Sequence, residues 1–190
     1  MIAGVIGRLG FAFFLAAAPQ VRAQADFSVE AARRGEAVEV RAHALLDAPA
    51  QLVWQVISDY ERLPQFVPNL RRSAVIARNG NRVLLEQSGE ARFAFFSVPI
   101  EVRLEVVEQP LDWIASRAVA GNLRRLSGRY ELHPDAARGG VLLRYAGAIE
   151  PGFELPPIVG IAALRSSVEQ QFGAMVQEIL RRAAEQLHPR

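Results

Sequence analysis

The chain has 190 residues, with 22 basic and 20 acidic side chains, three His and no Cys. Without Cys there is no thiol nucleophile, thiolate metal site or disulfide, so stability falls on the core. His43, His133 and His188 stand far apart, outside any close-spaced metal motif such as HExxH, and neither metal nor cofactor is expected.

The chain opens with the apolar run Leu9 to Ala18, preceded by Arg8 and broken by Pro19, with a small-x-small pattern at Ala23-Gln24-Ala25. These features predict a signal peptide over residues 1–25, cleaved after Ala25, and an exported, periplasmic protein. The alternative is a retained anchor, but a spanning helix needs about 20 apolar residues and Arg8 and Pro19 cut this run short. Cleavage removes Arg8 and Arg22 and takes the formal charge from +2 to zero. The basic balance of the whole chain is therefore no argument for nucleic acid. Every basic residue is Arg, with no Lys. What remains suits one domain with one core.

Residues 26–35 are polar and read as a leader. From Glu36, "EAVEVRAHALL" alternates Val38, Val40, Ala42 and Ala44 against Glu39, Arg41 and His43, the period of a half-buried strand. Asp47 is placed to cap the next helix, with Pro49 in its first turn. That helix runs from about Ala50 to Ser58, with Leu52, Val53, Val56 and Ile57 on its apolar face. Asp59 is placed to cap a second short helix, "YERLPQF", in which Pro64 sits near the end or kinks it. Pro68 holds Val67 extended.

Strand patterns follow. "RRSAVIARNGNRVLLEQ" predicts a hairpin around Asn79-Gly80-Asn81. In "FFSVPIEVRLEVVEQP", Val98, Ile100, Val102, Leu104 and Val106 face one way, and Glu101, Arg103 and Glu105 the other. "DWIASRAVAGN", "LRRLSGRYELHP" and "VLLRYAGAIEP" predict three more strands, the last two with Tyr130 and Tyr145 on their apolar faces. After the proline-rich "PGFELPP", a helix is predicted from about Ile158 to Leu187. Ile161, Leu164, Val168, Phe172, Met175 and Ile179 form its stripe, which must be buried.

The predicted order is strand, two short helices, about six strands and a long C-terminal helix. "VWQVISDYERLPQFVPNLRRSAVI" adds a local pattern: Val56-Ile57-x-Asp59, Tyr60, Leu63-Pro64-x-Phe66-x-Pro68, then a strand. Together they resemble the helix-grip superfamily of StAR-related lipid-transfer proteins, polyketide cyclases and birch-pollen allergens. Within it the residues more closely resemble one branch, the coenzyme-Q-binding and polyketide cyclase/dehydrase-like family. The resemblance covers roughly residues 36 to 186 of a domain at 36–187. It implies an α+β fold: a curved antiparallel sheet of about six to seven strands around a long helix, with a cavity between them.

The expected cavity lining is Leu63, Phe66 and Val67 from the kinked segment; Val102, Leu104, Trp113, Tyr130 and Tyr145 from the sheet; and Leu164, Val168, Phe172 and Met175 from the helix. Phe95 and Phe153 stand in two loops that read as cavity lips. Any one of these is also an ordinary core residue. Arg117, Arg124 and Arg144 are weaker candidates for holding a polar head group, and the phase of Glu86 and Arg117 is ambiguous.

No Ser-His-Asp order, phosphate loop or metal spacing is visible. The reading is a non-catalytic binder or carrier of a hydrophobic small molecule: a lipid, a quinone or an isoprenoid-like compound. It is expected to be a monomer, in transient contact with membrane. The alternatives are a polyketide cyclase or dehydratase using the same cavity, and an interaction module of the cell envelope.

Overall fold

A computed structural model describes residues 26–92, 96–135, 139–152 and 157–187. The elements in order are β1 (Phe27–Arg34), β2 (Ala37–Leu46), α1 (Ala50–Ile57), a 3-10 turn (Tyr60–Gln65), β3 (Leu70–Asn79), β4 (Arg82–Arg92), β5 (Ser97–Gln109), β6 (Trp113–Gly121), β7 (Leu123–Asp135), β8 (Gly140–Pro151) and α2 (Pro157–Leu187). The strands form one sheet in the order β1-β2-β8-β7-β6-β5-β4-β3, and each paired neighbour is antiparallel. With α2 against it, this is the helix-grip fold.

Among the described residues there are eight strands, one more than the upper expectation. The extra one is β1, where a leader was expected. Val29 is buried, Phe27 and Ala31 pack against the core, and Glu30, Ala32, Arg33 and Arg34 take the other positions. An edge strand needs only one covered face, and such sparse alternation is enough.

The strands alternate as their side chains require. In β2, Val38, Val40, Ala42 and Ala44 are buried while Glu39, Arg41 and His43 are exposed. Gly80 takes a left-handed φ of 58° in the Asn-Gly turn between β3 and β4. On α2, Leu164, Phe172, Met175, Val176, Ile179 and Ala183 are buried and face β1, β2, β4 and α1.

The segment between α1 and β3 turns the chain across one end of the sheet. Neither Asp47 nor Asp59 caps with its side chain. Pro49 is the N-cap of α1, and its carbonyl accepts from the Leu52 and Val53 amides at 2.9 and 3.1 Å. After Pro68 the chain enters β3 through Asn69, which has a left-handed φ of 65°. The Asn69 carbonyl accepts the Glu90 amide at 2.9 Å and lies 2.2 Å from where a Cβ on Gly89 would stand. Only glycine permits that crossing.

Candidate functional site

Sheet and α2 separate over β4 to β8 and leave a cavity of about 280 Å³, open to solvent at one end. Ile57, Tyr60, Leu63 and Val67 lie at its deep end, where the break between α1 and the 3-10 turn brings apolar side chains under the sheet. The β5 wall is Ile100, Val102, Leu104 and Val106, four successive inward positions. The α2 wall is Leu164, Ser167, Gln171 and Met175, at helical steps of three and four. Ile114, Ser116, Leu126, Tyr130 and Ile149 continue the surface across β6, β7 and β8. The mouth lies between Ser88–Ala91, Leu123 and Pro151.

Several polar groups on the wall are occupied by neighbours. Gln87 donates to the Ser73 hydroxyl at 3.0 Å, and Gln171 donates to Ser167 at 3.3 Å. Tyr60 donates to Glu108 Oε1 at 2.7 Å, and Arg78 donates to Glu108 Oε2 at 2.8 Å. Glu108 is buried on β5 beyond Val106, so Tyr60 ties the turn to the sheet beneath the cavity. Burial, and then the bond to Glu108, push the Tyr60 phenol well above its usual range.

Glu90 is the one carboxylate on the wall among the described residues. It sits at the mouth, gripped by Arg92 and Arg71 at 2.5 Å each. These partners, Arg92 foremost, hold it below the ordinary carboxylate range. A carboxylate so stabilised as the anion is a weak base.

Tyr130 and Tyr145 sit directly opposite each other on β7 and β8, with ring centroids 4.7 Å apart and planes tilted by 41°. Tyr145 lies flat along the sheet, and a Cβ at Gly147 or Gly128 would fall 2.4 or 2.7 Å from its hydroxyl. Two facing glycines thus make room for the ring. Burial pushes the Tyr145 phenol up to about 12, and raises Tyr130 further, with the neighbouring Tyr145 adding to the effect.

Of the fourteen expected lining residues, Leu63, Val67, Val102, Leu104, Tyr130, Leu164 and Met175 lie on the wall. Tyr145 shares their face, beside Tyr130. Phe172 does not line the cavity: it is 1% exposed and packs on Phe27 at 5.9 Å, covered by the strand the sequence reading lacked. Val168 is half-buried against the same core. Trp113 lies on the outer face, because Ile114 and Ser116 take the inward parity of β6, and Arg129 stacks on its ring at 4.1 Å. Phe66 turns toward the end of α2, with the Arg182 guanidinium 5.8 Å over its ring. Phe95 and Phe153 lie outside the described residues.

The ambiguous charges also resolve. Glu86 pairs with Arg103 and Arg117 with Glu105, both pairs on the outer face. Arg124 pairs with Glu36 at 3.5 Å, and Arg144 is exposed. His43 is exposed and bonds Ser28 at 3.0 Å. The missed wall residues fall into two kinds. Ile100 and Val106 share the parity of Val102 and Leu104, and that parity alone identifies them. Tyr60, Asn69 and Glu90 carry no such signal, because the crossing of two chain segments places them.

Residues 46–176 match a family model described as polyketide cyclase / dehydrase and lipid transport. Similar solved structures include an aromatase/cyclase from Streptomyces sp. R1128, with TM-score 0.64 and 16% identity, covering 80% of this chain and 97% of that one. A STAR-related lipid transfer protein from Xanthomonas axonopodis has TM-score 0.64 and 17% identity, covering 80% and 93%. A START superfamily protein from Mycobacterium smegmatis has TM-score 0.60 and 17% identity, covering 78% and 98%. At these identities the structures speak for the fold alone. No curated protein matches the chain in sequence.

Proposed function

The chain belongs to the polyketide cyclase / dehydrase and lipid transport family, and we propose that it binds and carries a hydrophobic small molecule without transforming it. The observation that carries this reading is the cavity of about 280 Å³, walled mainly by aliphatic side chains from β4 to β8 and α2. Its volume is near the lower end for small-molecule sites, which are typically about 300–1,000 Å³ and mostly apolar. A lipid tail, a quinone ring or an isoprenoid unit meets that description.

The state of the wall's titratable groups favours carriage over catalysis. Glu90 is held as a weakly basic anion by two arginines. Tyr60 and Tyr130 are held protonated, far from the neutral range where acid–base catalysis is efficient. The apolar run Leu9 to Ala18 and the Ala23-Gln24-Ala25 pattern support a place for this carrier in the cell envelope.

Native mass spectrometry of the protein isolated from its own envelope fraction tests both parts. The expected species starts at Asp26 and carries one apolar molecule, which organic extraction identifies. A protein that emerges empty and takes up no quinone, lipid or isoprenoid refutes the carrier reading. A mass that includes residues 1–25 refutes cleavage.

A further inference from the structure

A pair of tyrosines at the wall carries hydroxyls that the fold does not use. The hydroxyls of Tyr130 and Tyr145 have no hydrogen-bond partner among the described residues. Every side-chain N or O atom sealed from solvent does have a partner there. Neither hydroxyl is therefore fully sealed. Tyr130 is itself part of the cavity wall. An unsatisfied hydroxyl in an apolar pocket gains from a ligand that completes it.

The surroundings limit what that ligand group is. Burial keeps both phenols protonated, so each has a proton to donate. A neutral donor on an otherwise apolar wall, that of Tyr130, matches a ligand oxygen with a free lone pair. An ionised head group is disfavoured: among the described residues the cavity wall carries no cation, its one charge is the Glu90 carboxylate, and the nearby Arg71 and Arg92 are already engaged with Glu90.

We propose that Tyr130, its ring packed on Tyr145, is the polar anchor of the cavity and donates a hydrogen bond to the carbonyl oxygen of a neutral, otherwise apolar ligand. This rests on the reading of the cavity as a small-molecule site. It selects apolar ketones and quinone-type compounds over plain hydrocarbons and over ionised fatty acids. With no Cys in the chain, an electrophilic carbonyl compound is held without thiol addition.

The test uses the full chain and two probes of the same isomer, acetylnaphthalene and ethylnaphthalene, which share a skeleton and differ in a carbonyl oxygen. In calorimetry the unaltered protein is expected to bind the ketone about two- to tenfold more tightly, the range a net hydrogen bond supports. Tyr130→Phe removes that preference and leaves ethylnaphthalene binding unchanged. In the infrared, the bound ketone's carbonyl stretch moves to lower wavenumber on the unaltered protein and returns in Tyr130→Phe. Equal affinity for both probes, or a preference that survives in folded Tyr130→Phe, overturns the anchor and leaves the carrier reading standing. If Tyr130→Phe does not fold, an unshifted carbonyl stretch on the unaltered protein overturns it alone. If neither probe enters, the cavity reading falls and the anchor with it.

Discussion

Raising the pH isolates three residues of this protein. The chain contains no Cys and no Lys, and its only tyrosines are Tyr60, Tyr130 and Tyr145. Cys, Tyr and Lys are the side chains that ordinarily lose a proton between about pH 8 and 11, so only Tyr is left to do so here. The alkaline limb of the stability curve therefore belongs to three phenols. All three are raised in the folded state, chiefly by burial. A group whose folded pKa is raised contributes stability that is fully present below its unfolded pKa, here about 10, and is lost as pH climbs toward the folded value. Each such phenol removes about 1.4 kcal/mol per pH unit above about pH 10. Three together cost about 4 kcal/mol by pH 11 and about 8 kcal/mol by pH 12, where Tyr145 begins to ionise in place. Domains of this size hold about 5–15 kcal/mol, so unfolding is expected between about pH 11 and 12. The assay follows tyrosinate absorbance and far-ultraviolet circular dichroism in one titration. The two signals should rise and fall together, in one cooperative step. A tyrosine that ionises near its ordinary pKa while the dichroism stays native refutes the burial argument for that residue.

Two further outcomes follow from the packing. Glu108→Ala leaves the buried Tyr60 hydroxyl without its acceptor at 2.7 Å. Since Arg78 is half exposed and can rehydrate, most of the loss falls on the Tyr60 bond, about 1.5–3 kcal/mol. A Tyr60→Phe and Glu108→Ala cycle in urea should give a coupling above about 1 kcal/mol, and additivity within about 0.5 kcal/mol removes the latch. Phe172→Trp overfills the contact with Phe27, at a cost of about 1–3 kcal/mol. Its melting temperature should fall while probe affinity in the cavity is unchanged, and a lost affinity with an unchanged melt contradicts the placement of Phe172 outside the wall.

The sequence made the alternating and helical faces legible because each is a local periodicity. The parity of β5 identifies Val102 and Leu104, and the stripe of α2 identifies Leu164 and Met175. Trp113 lies one step of parity from Ile114 and Ser116, and that one step puts it on the outer face. Phe172 lies correctly on the buried stripe, but the stripe meets two environments, the cavity wall at Met175 and the β1 core at Phe172. Separating them requires knowing that Phe27, Val29 and Ala31 form a strand, a pattern only three apolar residues long. The Tyr60–Glu108–Arg78 cluster joins residues 48 and 30 positions apart, and no local pattern encodes such a meeting.

The strand order also dictates when the molecule can become whole. β2 pairs on one side with β1 and on the other with β8, matching Val38 to Ile149 and Leu46 to Val141. An isolated two-stranded hairpin is marginal in water, so β1 and β2 have no durable partner until about a hundred further residues have been made. The loop they close is long, and its entropy must be met before the contact rewards it. α2, which covers β1 and β2, comes later still. β1 and β2 are thus made before the other described strands and are among the last secured, whereas β3 to β8 neighbour one another in chain order and can pair as they are made.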